Sequence, residues 1–455
     1  VSGAERIENR YRTVWRWHFY AGLLCVPFVL WLSVTGGVYL FKAQIEALLD
    51  RPYAGLHYSG ALASPSDQAR AAVAAVPGSV LHRFVLSDRI DEASQIVVGK
   101  GGEETRVYIH PQTLAVLKQV GEEDRLMRVI FRLHGELMAG DTGSLLVELA
   151  ASWAIVMLLT GLFLWWPRAG AGPAGTLYPR LRSGKAAFWR DIHAVTGIWV
   201  SFFAIFLILS GLPWANSWGN YLKAVRSIAA APAGKQDWSA GSAADARARL
   251  ETDRGMRAMM GEHAEHGGMT MMHAAGPLGP LDLLVPRAQA LQLAGPVEIS
   301  PPTGHDALWT VKSNAENRPL RTDIVMDGTT GAIVSRKDFD QRPFIDRVIG
   351  IGVAAHEGVL FGVVNQLLSL MTVLGLITLS LSSVVLWWRR RPGGVLGAPV
   401  PQGAIRHSWL LVGLVVILGF VVPLFGISLA LVVVLERLAL RHMARPSRWL
   451  GLRPV

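Results

Sequence analysis

The chain has 455 residues, 51% of them hydrophobic, with 16 tryptophans and a formal net charge of +10. That is too apolar for an ordinary soluble protein and too long for one compact domain. The single cysteine, Cys25, excludes a disulfide framework, a Cys-based zinc site and a covalently attached c-type haem.

In chain order, the first long apolar run is "VWRWHFYAGLLCVPFVLWLSVTGGVYL", residues 14–40. It is too long for a signal-peptide core and lacks a small-residue cleavage site, so it reads as a retained membrane span. Further spans are expected near 144–166, 190–214 and 357–388, with a last apolar run at 409–435. Between spans one and two, "SDQARAAVAAV" reads as a short helix, and "ASQIVVG" and "TRVYIHPQTLAVLKQV" alternate like strands about a turn. Between spans three and four, "ALWTVKS" and "RTDIVMDGTTGAIVSRKD" repeat that hairpin. Two small α+β modules, each a helix on an antiparallel sheet, are therefore expected outside the membrane.

The positive charge resolves into a pattern. Arg6, Arg10, Arg12 and Arg16 precede the first span, and Arg168, Arg180, Arg182, Lys185 and Arg190 lie between the second and third. Arg389, Arg390, Arg391 and Arg406 follow the fourth, and Arg437, Arg441, Arg445, Arg448 and Arg453 close the chain. The acids Glu5, Glu8, Asp191 and Glu436 offset these only slightly. This is the positive-inside bias, and it argues against a nucleic-acid partner. It divides the chain into an N-terminus and first span (1–41), an outer module (42–130), a second span with its approach (131–167), a cytoplasmic loop (168–189) and a third span (190–214). A second outer module (215–350), a fourth span (351–388), a cytoplasmic loop (389–408) and a C-terminal apolar segment with a basic tail (409–455) complete it. A single span in that last segment would export five arginines, and a hairpin needs Pro423 and Gly426 to make a shallow re-entrant turn; both remain open from sequence.

The spans are repeated. His18 precedes Gly36, which ends "LSVTG", by the same interval at which His193 precedes Gly211, which ends "LILSG". His134 stands as far before Trp165 as His356 stands before Trp387, and Gly140 and Gly362 follow their histidines at a matching step. Two copies of one unit, span–module–span, thus carry two histidines each. His18 and His193 open spans entering from the cytoplasm; His134 and His356 open the spans that return. Equivalent positions on parallel helices share a depth, which gives one facing pair per membrane surface. A continuous helix from His134 to Trp165 would run roughly 46 Å, against a hydrocarbon core of about 30 Å, so the outer pair is expected at or above the interface.

Facing imidazoles on neighbouring helices are what a b-type haem needs, one on each axial face of the iron. Two such haems are expected, on His18/His193 and on His134/His356. Arg16, Arg190, Arg128 and Arg132 are candidates for the haem propionates, since guanidinium suits bidentate carboxylate binding. Alternatively the histidines are interfacial or packing residues kept by duplication, and the arginines mark topology only.

The paired segments "WRWHFYAGL", "RLHGEL", "FWRDIHAVTGIW" and "AHEGVLFG", with "VYIHPQTLAVL" and "IVMDGTTGAIV" between them, resemble the PepSY-associated transmembrane helix proteins over about residues 10–392. The resemblance implies a polytopic α-helical membrane protein of the bacterial inner membrane: a four-helix core from two repeats, a C-terminal hydrophobic segment and two α+β PepSY-like periplasmic modules. It also implies a likeness to di-haem reductases that release iron from ferric siderophores, with His18, His134, His193 and His356 as haem ligands. Substrate would be a periplasmic metal chelate. No nucleotide or flavin fingerprint is present, so the electron donor would be cytoplasmic or a quinol in the membrane.

One segment departs from that pattern. "MRAMMGEHAEHGGMTMMH" gathers Met256, Met259, Met260, His263, His266, Met269, Met271, Met272 and His273 in the extra length of the second module. Thioethers favour Cu(I) and imidazoles accept either copper state, so copper is a second candidate substrate or regulator; the bland alternative is a biased loop without a ligand. Two non-reductase readings stand beside these: a PepSY-type sensor whose spans are only anchors, and a metal or proton transporter using the histidines, with Glu148 the nearest carboxylate within a span.

Overall fold

In the computed structural model, residues 3–87, 89–167, 172–229, 242–265, 278–302, 307–399 and 409–452 are described. They form two compact units, one drawn from residues 1–40, 133–229 and 366–455, the other from 41–132 and 230–365.

The first unit is the helical one. Its long helices are α1 (Gly3–Tyr39), α5 (Gly140–Trp165), α6 (Gly184–Gly211) and α11 (Val363–Arg390). Each contains a stretch apolar and long enough to cross a membrane. Lipid supplies no hydrophobic drive between helices, so close packing needs small residues. On α1, Ala21 and Cys25 are buried one turn apart; on α5, Ala150 and Ala154 are likewise buried. The Cys25 thiol donates to the Ala150 carbonyl at 3.4 Å. Elsewhere a Cβ at Gly375 of α11 would fall 2.4 Å from Val200 of α6, and one at Gly37 of α1 would fall 3.1 Å from Val373 of α11. Leu158, Val200 and Ala204 form a buried knot flanked by Leu376 and Leu379.

The last apolar run is a hairpin. Helices α12 (Trp409–Val421) and α13 (Pro423–Leu435) have 13 residues each, and α13 continues as a π turn over Glu436–Leu440. The chain reverses at Val422, so that a Cβ on Gly419 would stand 3.3 Å from the Gly426 Cα. Val422 and Phe425 are buried against Ile155 of α5, with Val415 and Leu429 packed on the same cluster. The reversal leaves carbonyls at the end of α12 without helical partners, which is costly in lipid. Helix α7 (Asn216–Ile228) supplies donors: Trp218 Nε1 to the Val421 carbonyl at 2.9 Å and Tyr221 Oη to the Phe420 carbonyl at 3.1 Å. Beyond the hairpin, helix α14 (Ala444–Leu450) comes back to the start of the chain. The Leu396 amide bonds the Trp449 carbonyl, Tyr20 bonds the Leu450 carbonyl, and Arg16 bonds the Pro399 carbonyl. The run therefore folds back on itself, its second arm Pro423–Leu440 is itself long and apolar enough to cross a membrane, and Gly451 lies near Arg16.

The second unit corrects the expectation of two separate modules. Strands β1 (Val80–Leu86), β2 (Ser94–Lys100), β3 (Glu103–Ile109) and β4 (Val116–Gly121) come from the first outer segment. Strands β5 (Val297–Ser300), β6 (Leu308–Ser313), β7 (Thr322–Asp327) and β8 (Ile333–Asp338) come from the second. All eight lie in one antiparallel sheet, ordered β4-β3-β2-β1-β5-β6-β7-β8. The join is β1 with β5, in register Phe84↔Ile299. Two small sheets would each expose an unpaired edge there; pairing the two edges removes both. Helix α2 (Lys42–Asp50) ends against this sheet, where Tyr108 of β3 donates to Asp50 at 2.9 Å. Helices α3 (Pro65–Ala75), α8 (Ser242–Glu265) and α9 (Leu281–Ala290) contribute to the sheet's core through Ala69, Ala72, Met256, Leu281 and Leu284, beside Ile96, Ile299 and Trp309.

The approach to each returning span is also different from the continuous helix anticipated. His134 sits near the end of helix α4 (Leu126–Glu136), and α5 begins only at Gly140. Leu137, Met138 and Gly140 between them have φ of 50°, 58° and 56°, left-handed values that stop a right-handed helix. His356 likewise ends helix α10 (Phe344–His356), with Gly358 and Gly362 at φ of 79° and 61° before α11.

Candidate functional site: paired histidines between helices

His18 and His193 approach one another from α1 and α6. Their ring centroids are 6.4 Å apart and their planes meet at 74°. Each ring is tied through Nδ1 to a different neighbouring helix. His18 Nδ1 lies 2.9 Å from the Met157 carbonyl and 3.2 Å from Thr160 Oγ1, both on α5. His193 Nδ1 lies 3.1 Å from Ser382 Oγ on α11 and shares a backbone hydrogen bond with Leu379. The interval from Thr160 to Ser382 equals that from Met157 to Leu379, and both equal that from His134 to His356. The repeat visible in the histidines thus extends to what holds them.

The spacing has chemical meaning. With a metal–imidazole bond of about 2.0 Å, two rings on opposite faces of one metal ion have centres about 6.3 Å apart. The observed centroid separation matches that distance, and the ring nitrogen left on each histidine is Nε2, the usual arrangement of a ligating histidine with an outer hydrogen-bond partner. Glycine provides the room: a Cβ on Gly161 of α5 would stand 3.1 Å from His18 Cε1.

His134 is built alike. Its Nδ1 lies 3.0 Å from Thr35 Oγ1 of α1, and a Cβ on Gly36 would stand 3.0 Å from its Cε1. His356 belongs to the other unit, at the end of α10.

The four arginines are engaged by protein groups. Arg190 bonds Asp191 at 2.8 Å, a carboxylate that Arg180 also grips at 2.7 Å. Arg128 bonds Glu123 with two contacts of 3.1 Å, and Arg132 stands 3.8 Å from the same carboxylate. Arg16 lies over the Tyr20 ring besides holding the Pro399 carbonyl. Glu148 is likewise occupied, accepting the Ser217 and Trp218 amides at 3.1 and 3.2 Å where α7 begins. It therefore serves as a helix cap.

Of the methionine- and histidine-rich segment, Met256 lies in the apolar core of the sheet at 1% exposure. Met259, Met260 and His263 fall on α8 with side chains outside the described residues, and His266, Met269, Met271, Met272 and His273 lie outside them altogether. Helix α8 itself is bound to the sheet. His82 of β1 places Nδ1 2.8 Å from Glu104 of β3 and Nε2 2.7 Å from Asp253 of α8, all three buried. Arg83 completes the cluster with two bonds to Glu104. Burial alone would raise the Glu104 carboxyl, but the bonds from His82 and Arg83 outweigh it and hold it at about 2. Sequence reading had no signal for this cluster, because His82 stands in an otherwise unremarked strand.

No curated protein matches the chain. Residues 15–390 match the family model described as the PepSY-associated TM region. The match takes in α5, α6 and the eight-stranded sheet entire, together with all four repeat histidines, and the chain belongs to the PepSY-associated TM region family.

Proposed function

We propose that the protein is a di-haem b reductase of the bacterial inner membrane, passing single electrons outward to a periplasmic metal complex. The observation that carries this is the His18–His193 pair: two rings 6.4 Å apart on different helices, each anchored through Nδ1. His134 and His356 would form the second ligand pair, an assignment that rests on the sequence repeat. Bound haem would supply one-electron transfer between a donor, cytoplasmic or quinol, and the substrate.

The chain's own residues account for the rest. Two histidines per iron leave no open coordination position, which favours electron transfer over substrate binding at the haem. Apolar spans exclude water around the rings. The outer sheet with α3, α8 and α9 is the natural place for the metal complex, which is a ferric siderophore or a cupric complex. One electron converts Fe(III) to Fe(II), or Cu(II) to Cu(I), and a hard-oxygen chelator holds the reduced, softer ion less tightly. The positive-inside bias of the basic segments supports a cytoplasmic N-terminus, 168–189 and 389–408, with the sheet in the periplasm. The Nδ1 anchoring of His18, His134 and His193 weighs against spans that are mere anchors.

The test is an absorption spectrum of the purified protein, air-oxidised and dithionite-reduced, with a pyridine haemochrome count. Two b-type haems per chain are expected, falling to one in His18→Ala or His193→Ala and to one in His134→Ala or His356→Ala. Protein expressed with ample haem that carries none sinks the proposal. Mixing the reduced protein with a ferric siderophore or with Cu(II) and following its reoxidation then identifies the substrate.

A further inference from the structure

Three of the four repeat histidines meet a hydroxyl whose own proton is already given away. Thr160 Oγ1 donates to the Val156 carbonyl at 2.7 Å or the Met157 carbonyl at 3.0 Å. Ser382 Oγ donates to the Leu379 carbonyl at 3.0 Å. Thr35 Oγ1 donates to the Trp31 carbonyl at 2.9 Å. Such back-bonding is ordinary for serine and threonine in membrane helices. What is not ordinary is the second contact, an imidazole Nδ1 within 3.0–3.2 Å of each hydroxyl oxygen. A hydroxyl has one proton. With that proton given to a carbonyl the oxygen accepts from the ring, and at His18 the Met157 carbonyl, which can only accept, itself calls for Nδ1–H. A neutral imidazole with Nδ1–H keeps its lone pair on Nε2. Ser210, which follows Thr35 at the interval that separates His193 from His18, shares the back-bonding, donating to the Phe206 carbonyl at 2.7 Å.

We propose that Thr35, Thr160 and Ser382 are positioning residues that fix His134, His18 and His193 as Nδ1–H tautomers and set the electron-donating strength of Nε2. This rests on the reading of those histidines as haem ligands. An acceptor at Nδ1–H makes an imidazole more electron-rich and favours Fe(III). Removing the acceptor therefore raises the midpoint potential of the haem concerned. The carbonyls of Met157 and Leu379 also accept at His18 and His193 and limit the loss there.

The experiment uses full-length purified Thr35→Val, Thr160→Val and Ser382→Ala, with Thr35→Ser, Thr160→Ser and Ser382→Thr as conservative counterparts. Haem content and an optically monitored redox titration are measured on each, and 15N-histidine NMR on the diamagnetic reduced protein. Expected are two haems throughout and a tenfold shift toward the reduced form in Thr35→Val, about 59 mV for one electron. Smaller upward shifts are expected in Thr160→Val and Ser382→Ala, with the wild-type potential restored by the conservative counterparts. Unchanged potentials and Nδ1 resonances in all three hydroxyl-free variants, with both haems retained, overturn the inference. Haem-free wild-type protein would defeat the ligand reading separately. The same NMR then still decides the tautomer: protonated Nδ1 sustains the positioning role, and protonated Nε2 overturns it.

Discussion

At His18 and His193 the ring planes are nearly perpendicular, and each is fastened to a different helix, so the angle is built in. Perpendicular axial imidazoles would leave the two iron d orbitals that π-bond with the rings nearly equal in energy, and haem electronics follow the axial ligands. Ferric haem on this pair should give a highly anisotropic low-spin electron paramagnetic resonance signal, dominated by one high-g feature; a rhombic signal typical of parallel rings would contradict the observed angle. Space around the rings is equally specified. Gly161→Val should cost about 1–3 kcal/mol through overpacking against His18 and, on the di-haem proposal, should lower the haemochrome count by one. The histidines were legible in the sequence because they recur at matched intervals before glycines and tryptophans. Their partners were not, since Thr35, Thr160 and Ser382 look like any hydroxyl residue of a membrane helix until the second contact is seen.

Among the elements, α8 depends on a buried charge cluster for its seat. Asp253→Ala leaves the His82 ring nitrogen facing nothing, and breaking a buried pair in this way costs about 3–5 kcal/mol. Hydrogen exchange should show α8 losing protection while β2 and β3 keep theirs. Acid should act at the same place. Glu104 is held at about 2 in the folded state, below an ordinary glutamate value of about 4.3. Its contribution is therefore complete above that ordinary value and disappears as pH falls through about 2. Protection of α8 should be constant from about pH 7 to 5 and decline below about pH 4; a decline already at pH 6 would point to another group. The hairpin tip makes a third case. Tyr221→Phe removes only the hydroxyl that serves the Phe420 carbonyl, at a cost of about 1–3 kcal/mol for the group left unsatisfied. A lowered Tm in detergent is expected, and an unchanged one would show that the carbonyl finds another donor. Strands β2, β3, β6 and β7 were readable from alternation. Strand β5, four residues long, and its pairing with β1 were not, because a long-range edge contact leaves no local periodicity. The break before α5 was hidden too, since Leu137 and Met138 are not residues expected at positive φ.

For the whole molecule, the charge pattern already divided the chain into alternating segments, and only the end was ambiguous. In the structure the last apolar run folds back and returns residues 444–452 to the neighbourhood of Arg16 and Pro399. A fluorescent protein fused after residue 455 should therefore fluoresce in the cytoplasm, and alkaline phosphatase fused in residues 56–63 should be active; the reverse result would invert the proposed topology. The shared sheet has a further consequence, for the order in which the protein is made. Strand β1 is complete at Leu86, but its partner β5 begins only at Val297, with α5 and α6 lying between them in the chain. At ribosomal speeds of about 5–20 residues per second, the first four strands wait about 10–40 s before their open edge is closed. During that interval two further spans must be threaded, and an export chaperone or a neighbouring copy has time to find an unpaired strand. Biogenesis, more than the finished fold, is where this architecture is exposed to error.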